Sequence, residues 1–580
     1  MIGRRRIVLV IVAMVIVAAA VAFWRTRRLP AGAPASTATS HRGGTLIATL
    51  RSEPPTFNRY SGNTYATALV NDLTQAPLVR INQLTQAVEP WLADRWTRSA
   101  DGRQYTLHLR EGVVFSDGHP FTADDVAFSF LAAYDAKTAS VLGDALKVGE
   151  QPLSVSTTSP HEVVVTFPQM YGPGLRLLDN LPIYPKHRLA AALAAGTLAT
   201  AWGTSTPPNE VAGLGPFVLT RYEPAVRLVF ERNPHYWRVD AGGQPLPYLD
   251  RIAMEIVPDQ NAELLRLQAG QIDLLQDDLR PEDYVPLKRE ADAGRVRLMD
   301  VGTGLDMHVL WFNLGPRTSA DTHRAWLQRA EFRRGLSHAV DRRVFARTVY
   351  LGAAEPSWGL VSPANTVWYS AGADRPDYDP DRARALFASI GLRDRNADGQ
   401  LESESGAPVR FTVLIVKGVG ASEKGAAFLR EALARLGVTL DVVALDLSSV
   451  VGRWTAGDYD AIYNFLLTDP DPAANLDLWL SSGSSHVWNP RQAQPATSWE
   501  RDIDGVMARQ AGTIDPAERR QLFEQVQRTI AEHLPAMSFA IPHVYVATST
   551  RVASFTPALK RPQVLWNADE VSVIASGTPR

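Results

Sequence analysis

The stretch from Glu89 to Phe130 constrains the fold more than any other part of this 580-residue chain. It reads as strand, turn, strand, turn and helix. Ala100-Asp101-Gly102 is a hairpin turn, because Asp and Gly tolerate the positive φ angles such turns need. Tyr105, Leu107 and Leu109 alternate with Thr106, His108 and Arg110, the period-2 pattern of a half-buried strand. Asp117-Gly118 breaks the chain a second time. Thr122 then stands three residues before Asp125, a capping-box spacing that predicts a helix through Val126, Phe130 and Tyr134.

Composition narrows the class of protein around that stretch. The length allows two or three domains with substantial cores. Lys+Arg 59 against Asp+Glu 61 leaves a net charge of −2, so no global field draws the chain to nucleic acid or anionic membrane. Cysteine is absent, which excludes disulfides, thiol catalysis, Cys-ligated zinc and a lipidated N-terminal Cys. There is no helix with two histidines four apart, no nucleophile-elbow glycine pair and no Walker loop. No catalytic residue, cofactor site or metal site is assigned, and the chain reads as non-enzymatic. Gly213-Leu214-Gly215 is followed by Pro216 and lacks the third glycine of a nucleotide loop, so close backbone packing is expected there. Asp394, Asn396, Asp398 and Gly399 imitate the start of a calcium loop. The closing position is Ser405, with Glu404 one residue out of register, and a hairpin turn is expected instead.

The N-terminus points to export. Arg4-Arg5-Arg6 precede an apolar run from Ile7 to Trp24, followed by Arg25, Arg27 and Arg28. The run is longer than a usual signal core (~7–15 residues) and near the lower limit of a membrane span (~17–25). Residues 1–28 are expected to be an uncleaved membrane anchor, with a signal peptide cleaved near Ala18 to Ala22 as the alternative. Leu29 to Ser40, rich in Pro, Ala, Ser and Thr, reads as a flexible linker over 29–42.

The residue choices within Glu89 to Phe130 resemble the signature of the extracellular solute-binding proteins of family 5, the peptide, oligopeptide and nickel receptors of ABC importers. The resemblance is carried by Trp91, Ala93, Trp96, Tyr105-Thr106, Leu109-Arg110, Gly112-Val113, Phe115, Asp117-Gly118, Pro120-Phe121-Thr122-Ala123 and Asp125-Val126. It continues in Pro185-Lys186-His187, in Gly213 to Phe217, in Arg232-Asn233-Pro234 with Tyr236-Trp237, and in Ala339 to Arg342. It implies an α/β, two-lobed periplasmic-binding-protein fold of type II, with an extra subdomain in the first lobe at about 83–180. Lobe I is expected over 43–257 and again over 469–580, and lobe II over 258–468, with crossings at Ile252–Val257 and near Gly457–Pro472.

The same resemblance implies a periplasmic or extracytoplasmic receptor, a monomer, that captures a peptide or related solute and delivers it to ABC permease subunits. A membrane-anchored sensor acting through a partner and a peptide-processing enzyme are the alternatives. Asp460 to Asp469 lines up on the family's hinge-proximal strand and loop, where peptide receptors place an Asp that pairs with the ligand's α-ammonium group; Asp469 is the matching residue. The family's common Gly-Trp pair is Phe465-Leu466 here, and the Arg some members carry six residues before the Asp is Tyr463. Asp469, Tyr463, Phe465, Asp471, Asn58 in the first loop and Trp358 are the substrate-binding residues expected on this basis, with a solvated turn as the bland reading of Asp469-Pro470-Asp471-Pro472.

Overall fold

The computed structural model describes residues 42–276, 279–316, 325–372, 375–490 and 492–574. The expected anchor or signal, and the linker up to residue 41, lie outside the described residues. Among the described residues no helix is long and apolar enough to cross a membrane.

The first lobe begins with strand β1 (Thr45–Leu50), which buries Leu46, Ala48 and Leu50. Helix α1 (Tyr65–Thr74) follows, its start fixed by Thr64, whose hydroxyl accepts from the Thr67 N–H. The family signature then folds as its spacing predicts. Strands β2 (Ala93–Arg98) and β3 (Gln104–Leu109) form a hairpin closed at Gly102, which donates to the Ser99 carbonyl at a φ of 69°. Helix α2 (Ala123–Tyr134) carries the Thr122–Asp125 capping box. Asp125 also accepts from the Lys186 N–H at 2.9 Å, so the cap ties the helix to the Pro-Lys-His step. With β4 (Ser154–Ser159) and β5 (Glu162–Thr166) the hairpin completes a small antiparallel sheet in the order β2-β3-β5-β4, the extra subdomain of this lobe.

Strands β6 (Phe217–Glu223), β7 (Arg227–Arg232) and β8 (Arg251–Ile256) return to the main sheet in the order β1-β8-β7-β6. The Gly213-Leu214-Gly215 turn runs against the end of α1. A Cβ at Gly213 would stand 1.9 Å from the Thr74 carbonyl oxygen, and one at Gly215 2.6 Å from that of Leu73, so only glycine fits. Leu274 extends the sheet by bridging Ala48 on one side and Thr548 on the other. Helix α3 (Pro281–Asp292) packs on β9 (Val296–Thr303), which pairs with a strand from the C-terminal end of the chain.

The second lobe is built on β10 (Met307–Phe312), every residue of which is buried. A short strand, β11 (Ala354–Pro356), precedes β12 (Arg410–Val416), helix α4 (Gly420–Ala434) and β13 (Thr439–Leu445), a parallel β-α-β unit. After helix α5 (Leu447–Thr455), strand β14 (Ala461–Leu466) enters parallel to β12 and antiparallel to β10. The sheet order is β13-β12-β14-β10-β15, where β15 is Ala536–Ser538. One face packs on α4 through Ala426, Leu429 and Leu433. The other packs on α5 and on helix α6 (Pro516–His533) through Val450, Phe523, Val526 and Ile530.

The chain therefore changes sheets at two adjacent places. Gly304 to Asp306 joins β9 to β10, and Phe539 alone joins β15 to β16 (Ala540–Ser549), which pairs with β9 in the first lobe. This corrects the expected crossings. β8 stays in the first sheet between β1 and β7, and Gly457 to Pro472 belongs to the second lobe around β14. An apolar run such as Ile252–Val257 has the same local signature whether it lies inside a sheet or passes between two, so the pattern alone could not tell them apart.

Candidate functional site

At the double crossing the two lobes enclose a cleft of about 480 Å³. The first lobe contributes the start of α3, with Arg280 and Glu282, and the strand and return segment carrying His543, Tyr545 and Arg561. The second lobe contributes His308, Tyr350, Phe465 and the glycine-bounded turn Gly418-Val419-Gly420 before α4. Gly304, Leu305 and Asp306 form the floor on one crossing. Across the mouth, Glu282 at the start of α3 meets Lys424 on α4 at 3.3 Å, an ion pair that joins the lobes.

The cleft carries charges of both signs. Arg561 stands 4.0 Å from Asp306 and 5.8 Å from the Phe465 ring centre. His543 Nδ1 lies 2.9 Å from Asp300, with Glu355 at 3.7 Å from its Nε2. Burial, with Asp300 and Tyr284 adding to it, pushes the Tyr545 hydroxyl up to about 12, so it remains a neutral donor.

His308 faces Phe465 across the β10–β14 register, and their rings stand 5.1 Å apart. It is 5 % exposed, and burial brings its pKa down to about 4. Its Nδ1 lies 3.0 Å from the Tyr350 hydroxyl, which is itself hydrogen-bonded to Tyr463. Tyr463 is fully enclosed, so its proton has to go to Tyr350; Tyr350 then donates to Nδ1, and Nε2 carries the ring hydrogen. That Nε2 has no protein partner, and His308 lines the cleft. The arrangement presents a neutral N–H to whatever fills the cavity.

We expect nitrogen-15 NMR of the His308 ring to report the Nε2–H tautomer and a neutral ring down to about pH 4. An unfolded imidazole titrates near ~6.5, so the depressed value contributes stability that is complete above that pH and is lost as pH falls toward 4. A ring that protonates near 6.5 in the folded protein would contradict the relay.

Of the residues expected from the sequence, Phe465 alone lines the cleft. Tyr463 lies behind it and acts on it through Tyr350 and His308. Asp469 accepts from Lys560 Nζ at 2.8 Å and lies 3.7 Å from Arg176, so the ammonium it meets is the protein's own. Its carboxyl stays below the usual range because those two cations outweigh the effect of burial. Asp471 is buried and makes a two-point ion pair with Arg519. Asn58 is fully buried, donating to the Leu198 and Ala201 carbonyls, and it shapes the first loop without reaching the cleft. Trp358 lines a separate cavity of about 100 Å³ in the second lobe and donates to the Pro376 carbonyl. The reason is common to these four. Each polar group found a protein partner far away in sequence or in another element, Asp469 across the two lobes and the other three within their own, and local spacing does not reveal that partner.

Asp394, Asp398 and Glu402 bring carboxylate oxygens within 4.8 Å of one another. They sit on a turn closed by the Arg393–Glu402 bridge, and the acceptors are used by the Gly399, Gln400 and Arg395 N–H groups. None of them lines the cleft. His308 was the residue that sequence reasoning passed over. The available signal was a single histidine inside the apolar run Met307–Phe312, where a buried imidazole must find a partner.

Comparison with known proteins agrees with this architecture. A "Probable ABC transporter-binding protein" of Deinococcus radiodurans is 25% identical over 515 residues, covering 85% of each chain. "Di/tripeptide-binding protein 4" of Pseudomonas aeruginosa is 27% identical over 526 residues, covering 86% of this chain and 90% of its own. The solved structure of the oligopeptide-binding protein AppA from Bacillus subtilis, in complex with a nonapeptide, superposes with a TM-score of 0.70 at 23% identity, covering 92% of this chain and all of that one. Residues 87–486 match the bacterial extracellular solute-binding proteins, family 5, and the chain belongs to that family.

Proposed function

We propose that the solute of this chain, as a family 5 protein an extracytoplasmic, non-enzymatic solute-binding component of an ABC transporter, is a short peptide, held in the cleft between the lobes and handed to the permease subunits. The observation that carries this reading is the Nε2–H of His308, a neutral buried donor without a protein partner at the wall of a 480 Å³ cleft. A peptide carbonyl supplies the acceptor it lacks, and leaving such a donor unmet costs about 1–3 kcal/mol. The flanking Arg561, Arg280, Glu282 and Asp306 provide both signs of charge for a zwitterion, and Phe465 provides an apolar wall. A metal ion fits less well, because among the described residues no set of three His or acidic ligands converges in the cleft. The relative from Pseudomonas named for di- and tripeptides supports the same solute class.

Native mass spectrometry of the purified protein tests the proposal. A bound mass that fragments into amino-acid residues is the expected result, and a bound metal chelate or sugar would refute it.

The same reading makes the Glu282–Lys424 contact part of closure. Ligand binding to a two-state protein favours whichever state it contacts more. Both side chains are more than 40% exposed, so the pair contributes less than about 1 kcal/mol. Lys424→Ala should therefore lower affinity by no more than roughly fivefold, and by less at high salt. Calorimetry at two ionic strengths checks this; a salt-independent loss would assign Lys424 to solute contact instead.

A further inference from the structure

The first lobe holds another cavity, of about 270 Å³, which meets the cleft at Arg561. It lies between α1, the Pro77–Gln83 segment, the helical turn at Asp179 and the return segment around Lys560. Its walls carry hydrogen-bonding atoms without protein partners: Asn71 Oδ1, Gln75 Oε1 and Gln83 Oε1 as acceptors, against Arg80 Nε as donor. Asn71 is 9 % exposed and Gln75 5 %. The Gln75 amide nitrogen donates to the Ala212 carbonyl at 3.2 Å, which leaves its oxygen as the free end.

Two carboxylates belong to the same wall. Asp179 accepts from the Ile81 N–H at 3.0 Å. Asp72 lines the cavity beside it and remains exposed to solvent there, with protein crowded around its carboxylate. Burial, and then the charge of Asp179, lifts Asp72 to about 7; burial lifts Asp179 to about 6. The basic groups around them are engaged elsewhere. Arg59 donates to the Gly62 carbonyl, Arg80 pairs with Glu89 and stacks on Trp91, and Lys560 pairs with Asp469. Arg561 lies over Phe465, and Asp569 is held by Arg238 and Tyr236.

We propose that this cavity is a second solute subsite, one that takes an N–H-rich organic cation such as an alkylammonium or alkylguanidinium group. Unpartnered oxygen acceptors outnumber unpartnered donors in its wall, and among the described residues neither carboxylate has a basic group within ion-pair distance, Arg59, Lys560 and Arg176 acting on them only from farther off. A cation with several N–H bonds supplies both deficits at once, whereas a quaternary ammonium supplies charge without donors. A neutral, carbonyl-rich group would find one free donor and leave the acceptors unmet. The subsite does not depend on the solute of the main cleft being a peptide.

The test is a calorimetric titration of the full chain at pH 6.5 with ethylguanidinium or propylammonium chloride, with tetraethylammonium chloride as the equal-charge control at matched ionic strength. Saturable binding of the first two and none of the third is expected. Binding should also release a proton from Asp72, read as a dependence of the observed heat on the ionisation enthalpy of the buffer. Asp72→Asn keeps the shape and should lower affinity at least tenfold and abolish proton release, with Asp179→Asn weaker in the same direction. Phe465→Ala should leave these titrations within twofold of wild type, which separates this subsite from the cleft. Equal binding of tetraethylammonium, no saturable binding, or undiminished binding by both Asn variants would overturn the proposal.

Discussion

Asp471→Ala should cost about 3–5 kcal/mol of folding stability and leave solute affinity of the folded protein within twofold. Asp471 and Arg519 are almost completely enclosed, their side chains 4% and 6% exposed, and they meet at 2.6 and 3.0 Å. The carboxylate also accepts from the Ala473 N–H at the start of a short helical turn. Arg519 is held further by the Gln510 carbonyl and by the Trp368 ring, 4.8 Å from the guanidinium carbon. Removing the anion leaves a guanidinium in a site that water cannot reach, and that desolvation sets the size of the loss. Denaturant unfolding measures it. The double variant Asp471→Leu with Arg519→Met should recover most of the stability, because apolar groups of similar volume replace a buried pair at little cost. A loss below about 1 kcal/mol in the single variant would mean that the pair is screened by solvent, as surface pairs are.

Asp469 and Asp471 show where sequence reading stops. They are the same residue type two positions apart in one turn, yet one is tied to Lys560 and the other to Arg519. Nothing in Asp469-Pro470-Asp471-Pro472 announces partners that lie 91 and 48 residues away. Local geometry was more legible. The Thr122–Asp125 spacing became a capping box, the Asp101-Gly102 pair became a hairpin turn, and Gly213 and Gly215 became a close approach to α1. Each is determined by atoms a few residues apart or by the absence of a Cβ. The sheet change at Gly304 to Asp306 is different. It depends on whether β8 or β9 runs on into the next lobe; β8 pairs with β1, β9 pairs with β16, and Leu274 bridges β1 to β16 between them. Such a pairing is set by the whole core and leaves no periodic trace in the strand itself. His308 escaped for a similar reason, since its hydrogen-bond chain runs through Tyr350 and Tyr463 on other elements.

Phe465→Ala should weaken solute binding by about 1.5–3 kcal/mol, roughly ten- to 150-fold in dissociation constant. The ring stands between His308 at 5.1 Å and the Arg561 guanidinium at 5.8 Å, at the point where the cleft meets a second-lobe cavity of about 370 Å³ under α5. Truncation removes the apolar wall between His308 and Arg561, so a bound solute loses contact area and gains water. Phe465→Leu should restore part of the loss, because it returns apolar volume without the aromatic face. Asp469→Ala provides the opposing test. Its carboxylate serves Lys560 and Arg176, so its removal should lower stability while changing affinity by less than about tenfold. If calorimetry instead gave a loss of two to three decades for Asp469→Ala and little for Phe465→Ala, the solute's ammonium would be displacing Lys560. The binding site would then be centred on Asp469 and not on the His308–Phe465 wall.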